Sequence, residues 1–272
     1  MRVVIHDVKI DGKNPFCLIP ISDVHIGHVD HDKDFAKKTI DWMAKKGASA
    51  ILLGDMIDGI CPKDRRFENT SIADEFKVHL DNLHHKQTEA FLKLIDPIKE
   101  KVIAVMGGNH EETVKKHYSY DPTQIIADAL KKPLLPDPAY VILRFDYCGS
   151  KRLITIFCTH GQFLGGRKRG GKVNRMEDLA SDHDADIYLA GHTHDIWETR
   201  TCRTGISKNG KYEKQRKRFI NTGSFMDTYL EGEYSTWASR KLFSPIDPGV
   251  ARIDFYVKKK KSKHYIDIHV RT

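Results

Sequence analysis

Five short clusters of Asp, Asn, Glu and His punctuate this 272-residue chain, and their side chains are of the types that hold metal ions. They are Asp23-Val24-His25, Gly54-Asp55-Met56-Ile57-Asp58, Gly108-Asn109-His110-Glu111, His160-Gly161 and Gly191-His192-Thr193-His194. A carboxylate and an imidazole two positions apart at a strand end point to the same side, because the strand period is two. The same holds for His192 and His194, so each pair can clasp a metal centre from one face. Mixed carboxylate and imidazole ligation suits Mn, Fe or Zn better than Ca or Mg, which prefer oxygen. A single zinc needs three or four ligands. The clusters hold seven good candidates, too many for one ion and suited to two ions that share a ligand. The glycines before Asp55, Asn109 and His192 permit tight turns where backbone must come close to the ions.

The elements that must position these residues are legible as apolar runs. MRVVIHDVKI alternates, DGKNP turns the chain, and FCLIPIS leads to Asp23, which reads as a hairpin entering a buried strand. The spacing predicts a helix from Phe35 to Lys46 stopped by Gly47, then a strand, ASAILLG, ending at Asp55. A longer amphipathic helix is expected over 72–96, closed by Pro97, and the run KVIAVMG ends at Asn109. After Asp121-Pro122, TQIIADALKK reads as a helix. Strands then crowd together: YVILRFDY, RLITIFC ending at His160, DIYLAG ending at His192, and RFINTGS. ARIDFYV and HYIDIHV read as a closing hairpin, with Lys258 to Lys261 and Lys263 as a charged tip that blunts an edge.

This order predicts an α/β sandwich in a single domain over 1–272. Within it are expected a helical insertion at about 60–98, a basic Gly-rich loop at 165–175 and a C-terminal hairpin at 250–270. In open α/β sheets ligands bind beyond the carboxyl ends of the strands, so the clusters should meet on one edge.

Composition narrows the class. Hydrophobic residues at 40% and charged residues at 30% fit a soluble globular chain rather than a disordered or membrane one. No apolar run approaches the roughly 18 residues of a spanning helix, and the first residues lack a secretory apolar stretch. Five scattered cysteines argue for a reducing compartment, against a disulfide scaffold and against a zinc ribbon. The expected location is the cytoplasm, with no membrane partner. A net charge of +8 and a pI of about 9.1 make polyanions plausible partners. The segment GGRKRGGKVNR places Arg167, Lys168, Arg169, Lys172 and Arg175 a few residues after His160. Gly166, Gly171 and Lys172 mimic a P-loop, but Val173 stands where a Ser or Thr must hold magnesium, and no strand leads directly in. The bland reading is a solvated basic loop. The functional one is a grip on substrate phosphates.

In order, the clusters resemble the calcineurin-like metallophosphoesterases, whose signature runs DxH, GDxxD, GNH[ED], a downstream His-Gly and GHxH. The resemblance spans roughly residues 16–226. It implies a sandwich of two mixed β-sheets flanked by helices. It also implies one metal held by Asp23, His25, Asp55 and His194, and a second held by Asp55, Asn109, His160 and His192. Asp55 would bridge, together with a hydroxide that attacks phosphorus, between two divalent ions about 3.5–4 Å apart. Mn2+ is the expected ion, with Fe, Zn, Co or Ni as alternatives. His110 resembles the residue that contacts the phosphate and protonates the leaving group, with Asp58 fixing its orientation and favouring the imidazolium. His6, His79, His84, His85, His117, His183, His264 and His269 read as ordinary surface or core residues. His28 and His31, just after DVHIG, stand apart as residues that could face the site.

The departures from the family pattern bear on substrate. Protein Ser/Thr phosphatases carry an Arg where Gly59 stands, and purple acid phosphatases a Tyr where Asp58 stands. The remaining pattern is similar to phosphodiesterases, to Mre11/SbcD-type nuclease cores and, in its basic loop, to phage metallophosphoesterases. The DNA-capping domain of those nucleases has no counterpart expected after residue 250. Phosphodiester cleavage, with DNA or RNA as the substrate, is the expected activity, on the strength of the basic charge balance and the Gly-Arg-Lys segment beside the site. The alternative is a phosphomonoesterase or small-molecule nucleotide phosphodiesterase, which a narrow, lidded pocket would mark. A non-catalytic scaffold is the remote reading, and no ligand position has been lost to support it. The sequence leaves the oligomeric state open.

Overall fold

The computed structural model describes residues 1–10, 12–206, 209–229, 237–260 and 263–272. The chain opens with β1 (Val3–Lys9), β2 (Phe16–Ile21), α1 (Lys33–Lys46) and β3 (Ser49–Leu53). A long excursion carries α2 (Asp74–Lys77) and α3 (Leu83–Ile95) before β4 (Val102–Met106), α4 (Asn109–Tyr118), α5 (Pro122–Leu130) and β5 (Leu134–Leu135). Then come β6 (Ala139–Tyr147), β7 (Ser150–Thr159), α6 (Arg169–Asp182), β8 (Ile187–Ala190), β9 (Ile196–Ile206) and β10 (Tyr212–Ser224). The chain finishes with α7 (Trp237–Arg240), β11 (Gly249–Val250), β12 (Arg252–Lys260) and β13 (Lys263–Arg271).

These strands form two mixed sheets. One runs β1-β6-β7-β8-β10-β11 with β9 paired to β10, and the other runs β13-β12-β2-β3-β4-β5. The residue pattern explains the layering. Leu18, Ile51 and Leu53 pack with Val141, Ile156, Leu189 and Ile220 between the sheets. Their neighbours Ile19, Ile21 and Leu52 face the opposite way, onto Ile40, Met43, Phe91 and Ile126 of the helices. Strands apolar on both faces belong in a parallel sheet covered on both sides, and β2, β3 and β4 are that case. On the far face Phe157, Tyr188 and Phe219 pack under Met176 and Ala180 of α6. The result is a helix–sheet–sheet–helix sandwich.

Helix α1 stops at Gly47 as its sequence predicts and begins two residues before the expected Phe35, at Lys33. The Asp32 side chain accepts from the Phe35 N–H, and Gly47 caps the other end with φ 64°. Other expectations are corrected. The first two strands make no hairpin: β1 pairs in parallel with β6, while β2 lies between β3 and β12 in the other sheet. The alternation of β1 leaves one face exposed and suits a sheet edge, whereas doubly apolar β2 must be interior. The single helix expected over 72–96 is broken, because Asn82 takes a non-helical φ of −134° and α3 begins after it. Residues 169–175 are not loop but the first two turns of α6. The closing hairpin β12–β13 is paired from Arg252–Arg271 to Lys260–Lys263, with Lys258 bound to Asp267 at 2.9 Å. Lys261 of its expected tip lies outside the described residues.

Strands β2, β3 and β4 run parallel, as do β7, β8 and β10, and their carboxyl ends meet at one edge. Strand β9 runs antiparallel to β10, and the ends of the pair at Ile206 and Tyr212 lie away from that edge, with Arg203, Lys214 and Arg216 exposed. Among the described residues no helix is long and apolar enough to cross a membrane.

Candidate metal centre

All five clusters arrive at this one edge. The pleat does not aim them, however. Asp23 and His25 lie beyond the end of β2 with φ 54° and 49°, and Asp55, His192 and His194 have φ 50°, 67° and 58°. Non-glycine residues in the left-handed region cost about 1–3 kcal/mol each and persist where surrounding bonds over-determine them. Those bonds are present. The Asp23 and His25 N–H groups donate to the Gly54 and Asp55 carbonyls at 3.0 Å each. The buried Glu111 carboxylate accepts from four backbone N–H groups: Asp55 at 2.9 Å, Met56 at 2.7 Å, Ile57 at 3.1 Å and Gly108 at 2.8 Å. Glycines serve close approach as much as turning. Gly54 needs its φ of 93°, but Gly108, at φ −110°, is required because a methyl group there would collide with Asp55.

Two donor groups result. In one, His194 Nε2 lies 3.4 Å from Asp23 Oδ1 and 3.2 Å from His25 Nε2. In the other, His160 Nε2 lies 3.2 Å from Asp55 Oδ2 and 3.0 Å from Asn109 Oδ1, with His192 alongside. Asp55 Oδ2 is also 3.8 Å from His25 Nε2, so this oxygen stands between the groups. Its partner Oδ1 is occupied by the His110 N–H at 2.9 Å. Asp23 is divided the same way: Oδ2 accepts from the His192 N–H at 2.8 Å, while buried Oδ1 has no hydrogen-bond partner. His160 donates Nδ1–H to the Leu53 carbonyl at 2.9 Å, which turns Nε2 inward. Inward-facing donors with their outer atoms tied down fit divalent cations: ligand atoms of Asp23, His25 and His194, and of Asp55, His160 and His192, fall within 4.8 Å of one another, as do those of His25, Asp55 and His110 between them.

Charge follows from this crowding. Burial disfavours the imidazolium of His25, yet Asp23, Asp58 and Asp55 push its pKa up to about 10. His160 is likewise raised to about 10, against burial, by Asp55 and Asp23. His192, half-buried beside His160, is lowered to about 4 by desolvation and by that neighbour. Burial alone would raise Asp23 and Asp55, but the surrounding imidazoles hold both well below the usual carboxylate range. Protons and cations therefore compete for the same nitrogens.

His110 sits in the first turn of α4. Its Nδ1–H donates to the Asp58 main-chain carbonyl, and Asp58 Oδ1 lies 3.7 Å from both His110 Nδ1 and His25 Nδ1. Asp58 thus orients His110 through its backbone, and its carboxylate is shared. The expected gain of charge does not follow: burial, His25 and Arg66 outweigh Asp55 and Asp58, and the His110 pKa is lowered. Its Nε2 is 3.4 Å from Nη1 of Arg66. That arginine is steered by Asp64, with Nη2 at 2.7 Å from Oδ2 and Nε at 3.1 Å from Oδ1.

A cavity of about 490 Å³ opens beside the centre, lined by His25, Asp55, His110, His192 and His194. Arg66, Arg167 and Lys172 also line it, and Met226, Leu242, Phe243 and Ile246 form an apolar wall. The basic segment is mostly committed elsewhere. Lys172 is buried and ion-paired to Asp195 at 2.5 Å, and Arg175 donates to the Phe163 and Gly165 carbonyls. Lys168 and Arg169 are exposed and do not line the cavity. Four residues escaped the sequence reading or were left aside by it. Glu111 was visible as the fourth letter of GNHE, without its clamping role. His28 carried a positional hint, whereas Arg66 and Asp30 had no motif to mark them.

A family model for calcineurin-like phosphoesterases matches residues 19–195. No curated protein matches the chain. Among solved structures, vacuolar protein sorting 29 from Cryptosporidium parvum is 14% identical with a TM-score of 0.38, over 96% of this chain and 100% of that one. A metallophosphoesterase from Sphaerobacter thermophilus is 14% identical with a TM-score of 0.37, over 94% of this chain and 88% of that one. GAP50 of Plasmodium is 13% identical with a TM-score of 0.41, again over 94% and 88%.

Proposed function

Because the chain belongs to the calcineurin-like phosphoesterase family, whose activity is metal-dependent phosphoester hydrolysis, we propose that it is a binuclear phosphodiesterase acting on a nucleotide-sized ester. The observation that carries the two-ion reading is the position of Asp55 Oδ2, 3.2 Å from His160 Nε2 and 3.8 Å from His25 Nε2, where it can serve both donor groups. Asp23, His25, Asp55 and His194 would hold one cation, and Asp55, Asn109, His160 and His192 the other. When bound, the pair would acidify a water and stabilise the attacking and leaving oxygens. Mn2+ suits the mixed donors best.

The remaining residues bind and move protons. Arg66, held by Asp64, presents Nη1 beside His110 Nε2 and would take the non-bridging phosphate oxygens. His110 keeps Nδ1 tied to the Asp58 carbonyl, so Nε2 faces the cavity. A phosphoester anion lodged there would raise its depressed pKa and let it protonate the leaving oxygen. The volume, about 490 Å³ with an apolar wall, supports a compact ester over a duplex groove. Nucleic acid is the second reading. It is favoured by Arg66 and Arg167 in the lining and by the net charge of +8. A strand end could enter where a duplex could not.

The test pairs metal content with turnover in Mn2+. Wild-type protein should hold about two ions per chain and cleave bis-p-nitrophenyl phosphate. Asp55→Ala should hold fewer than one and lose activity, and full activity in that variant ends the proposal. A panel of mononucleotide esters, single- and double-stranded DNA, and RNA then separates the two substrates.

A further inference from the structure

Outside the metal donors, the cavity contains a second polar pair. Asp30 is only 2% exposed, lines the cavity, and its Oδ1 has no hydrogen-bond partner. An ionisable group buried with an idle oxygen is costly unless something arrives to use it. A carboxylate oxygen accepts hydrogen bonds, so the group suited to it is a donor.

His28 lines the same cavity two residues before Asp30 in the chain. Its Nδ1 accepts the Asp30 N–H at 3.0 Å. An imidazole whose Nδ1 accepts carries its proton on Nε2, and so it offers a donor there. Burial, which lowers the His28 pKa to about 4, keeps the ring in this neutral form. Asp30 itself is raised to about 6 by burial and by Asp227 and Asp58, which leaves it mainly ionised at neutral pH.

The pair is rigidly mounted. The Val29 N–H donates to the Ser71 carbonyl at 2.9 Å, and the Asp227 N–H donates to the Asp30 carbonyl at 2.8 Å. His31 bridges to Met226, which brings the turn against the segment that supplies the apolar wall. Beside one acceptor and one donor therefore stands the apolar surface of Met226 and Ile246.

From this juxtaposition we infer that His28 and Asp30 recognise the nucleoside of the substrate, through adjacent donor and acceptor groups that project from a flat apolar body. A hydroxyl or amino group donates to Asp30 Oδ1, its neighbour accepts from His28 Nε2–H, and the base lies on the apolar wall. The ribose diol and the amidine edge of adenine both present that chemistry. The inference rests on the phosphodiesterase reading and specifies its substrate.

The experiment measures kcat/KM in Mn2+ for p-nitrophenyl esters of adenosine, 2′-deoxyadenosine and purine-riboside 5′-phosphates, with bis-p-nitrophenyl phosphate as reference. On unaltered protein the adenosine ester should be preferred over one of the two analogues by about 10- to 100-fold, the loss expected when a buried acceptor is left unused. Loss with the deoxy compound identifies the sugar as the ligand, and loss with the purine compound the base. Asp30→Asn should erase that discrimination, mostly through KM, with metal content and reference turnover unchanged and a melting temperature no lower than that of wild type, because the neutral amide escapes the penalty of a buried carboxylate beside Asp227 and Asp58. Equal rates for all three esters on wild-type protein overturn the inference while leaving phosphodiester hydrolysis intact. Equal loss on the reference compound in Asp30→Asn also overturns it. No turnover of the reference compound by wild-type protein would instead overturn the reading beneath it.

Discussion

Replacing Glu111 by Gln tests whether the metal centre is built from behind. The carboxylate is 1% exposed and collects two N–H groups on each oxygen: Met56 and Ile57 on Oε1, Asp55 and Gly108 on Oε2. Gln keeps one acceptor and turns an NH2 toward the other two donors. Hydrogen bonds to charged groups contribute about 1.5–3 kcal/mol each, so losing two costs about 3–6 kcal/mol before compensation. Compensation exists because burial and Asp55 raise the Glu111 pKa. A carboxyl raised in the folded state favours folding below its unfolded pKa and loses that contribution as pH rises through the folded one. Ionised Glu111 therefore carries a penalty at neutral pH that Gln escapes, and the lower end, ~3 kcal/mol, is the expectation. For a chain of this size that lowers Tm by roughly 6–12 °C. Whichever pair is freed, Asp55 with Gly108 or Met56 with Ile57, the backbone that carries the Asp55 donor is loosened, so Mn2+ affinity should fall about 10- to 100-fold. Calorimetric melts and isothermal titration with Mn2+ measure both. A variant melting within about 1 °C of wild type, with unchanged affinity, would refute the clamp.

Two other outcomes follow from the same geometry. His110→Ala should retain its metal and slow esters of poor leaving groups by about 10²–10⁴-fold, while p-nitrophenyl esters lose much less; equal losses across a leaving-group series would exclude an acid role. The raised pKa values of His25 and His160, each about 10, stabilise the protonated protein fully below pH 6.5, and that stability is lost as pH rises through 10. Cations must displace those protons, so Mn2+ affinity should climb steeply between pH 6 and 9, with about two protons released per chain in titrations across buffers of different ionisation enthalpy. A flat affinity over that range would contradict it.

The sequence exposed what is local and concealed what depends on distant partners. Asp23, Asp55, Asn109, His160 and His192 could be found because each follows an apolar run, and the sheet order brings run ends together. Gly47 could be read as a helix stop because its φ of 64° is a property of one residue. The pairing of β1 with β6 could not be read, since Val3 and Tyr140 are neighbours only in the folded chain. Helix α6 was hidden by Gly170 and Gly171, whose poor propensity is overridden when Met176 and Ala180 bury against Tyr188 and Phe219.

The basic segment shows why charge near a site in sequence is a poor guide to charge in the site. Lys172 is drawn to Asp195 because Asp195 follows His194, so the salt bridge fastens the His192–His194 turn rather than offering a free cation to substrate. Arg175 is spent on carbonyls of its own approach loop. The guanidinium beside His110 comes instead from Arg66, on the excursion between β3 and β4, and it is aimed by Asp64, two residues away. A cation useful for binding phosphate must be held by an acid that leaves one face open, as Asp64 does for Arg66. Lys172 is itself buried and meets its half-buried acid with Nζ directed at Asp195, and this separates a residue that fastens the site from one that can grip a substrate.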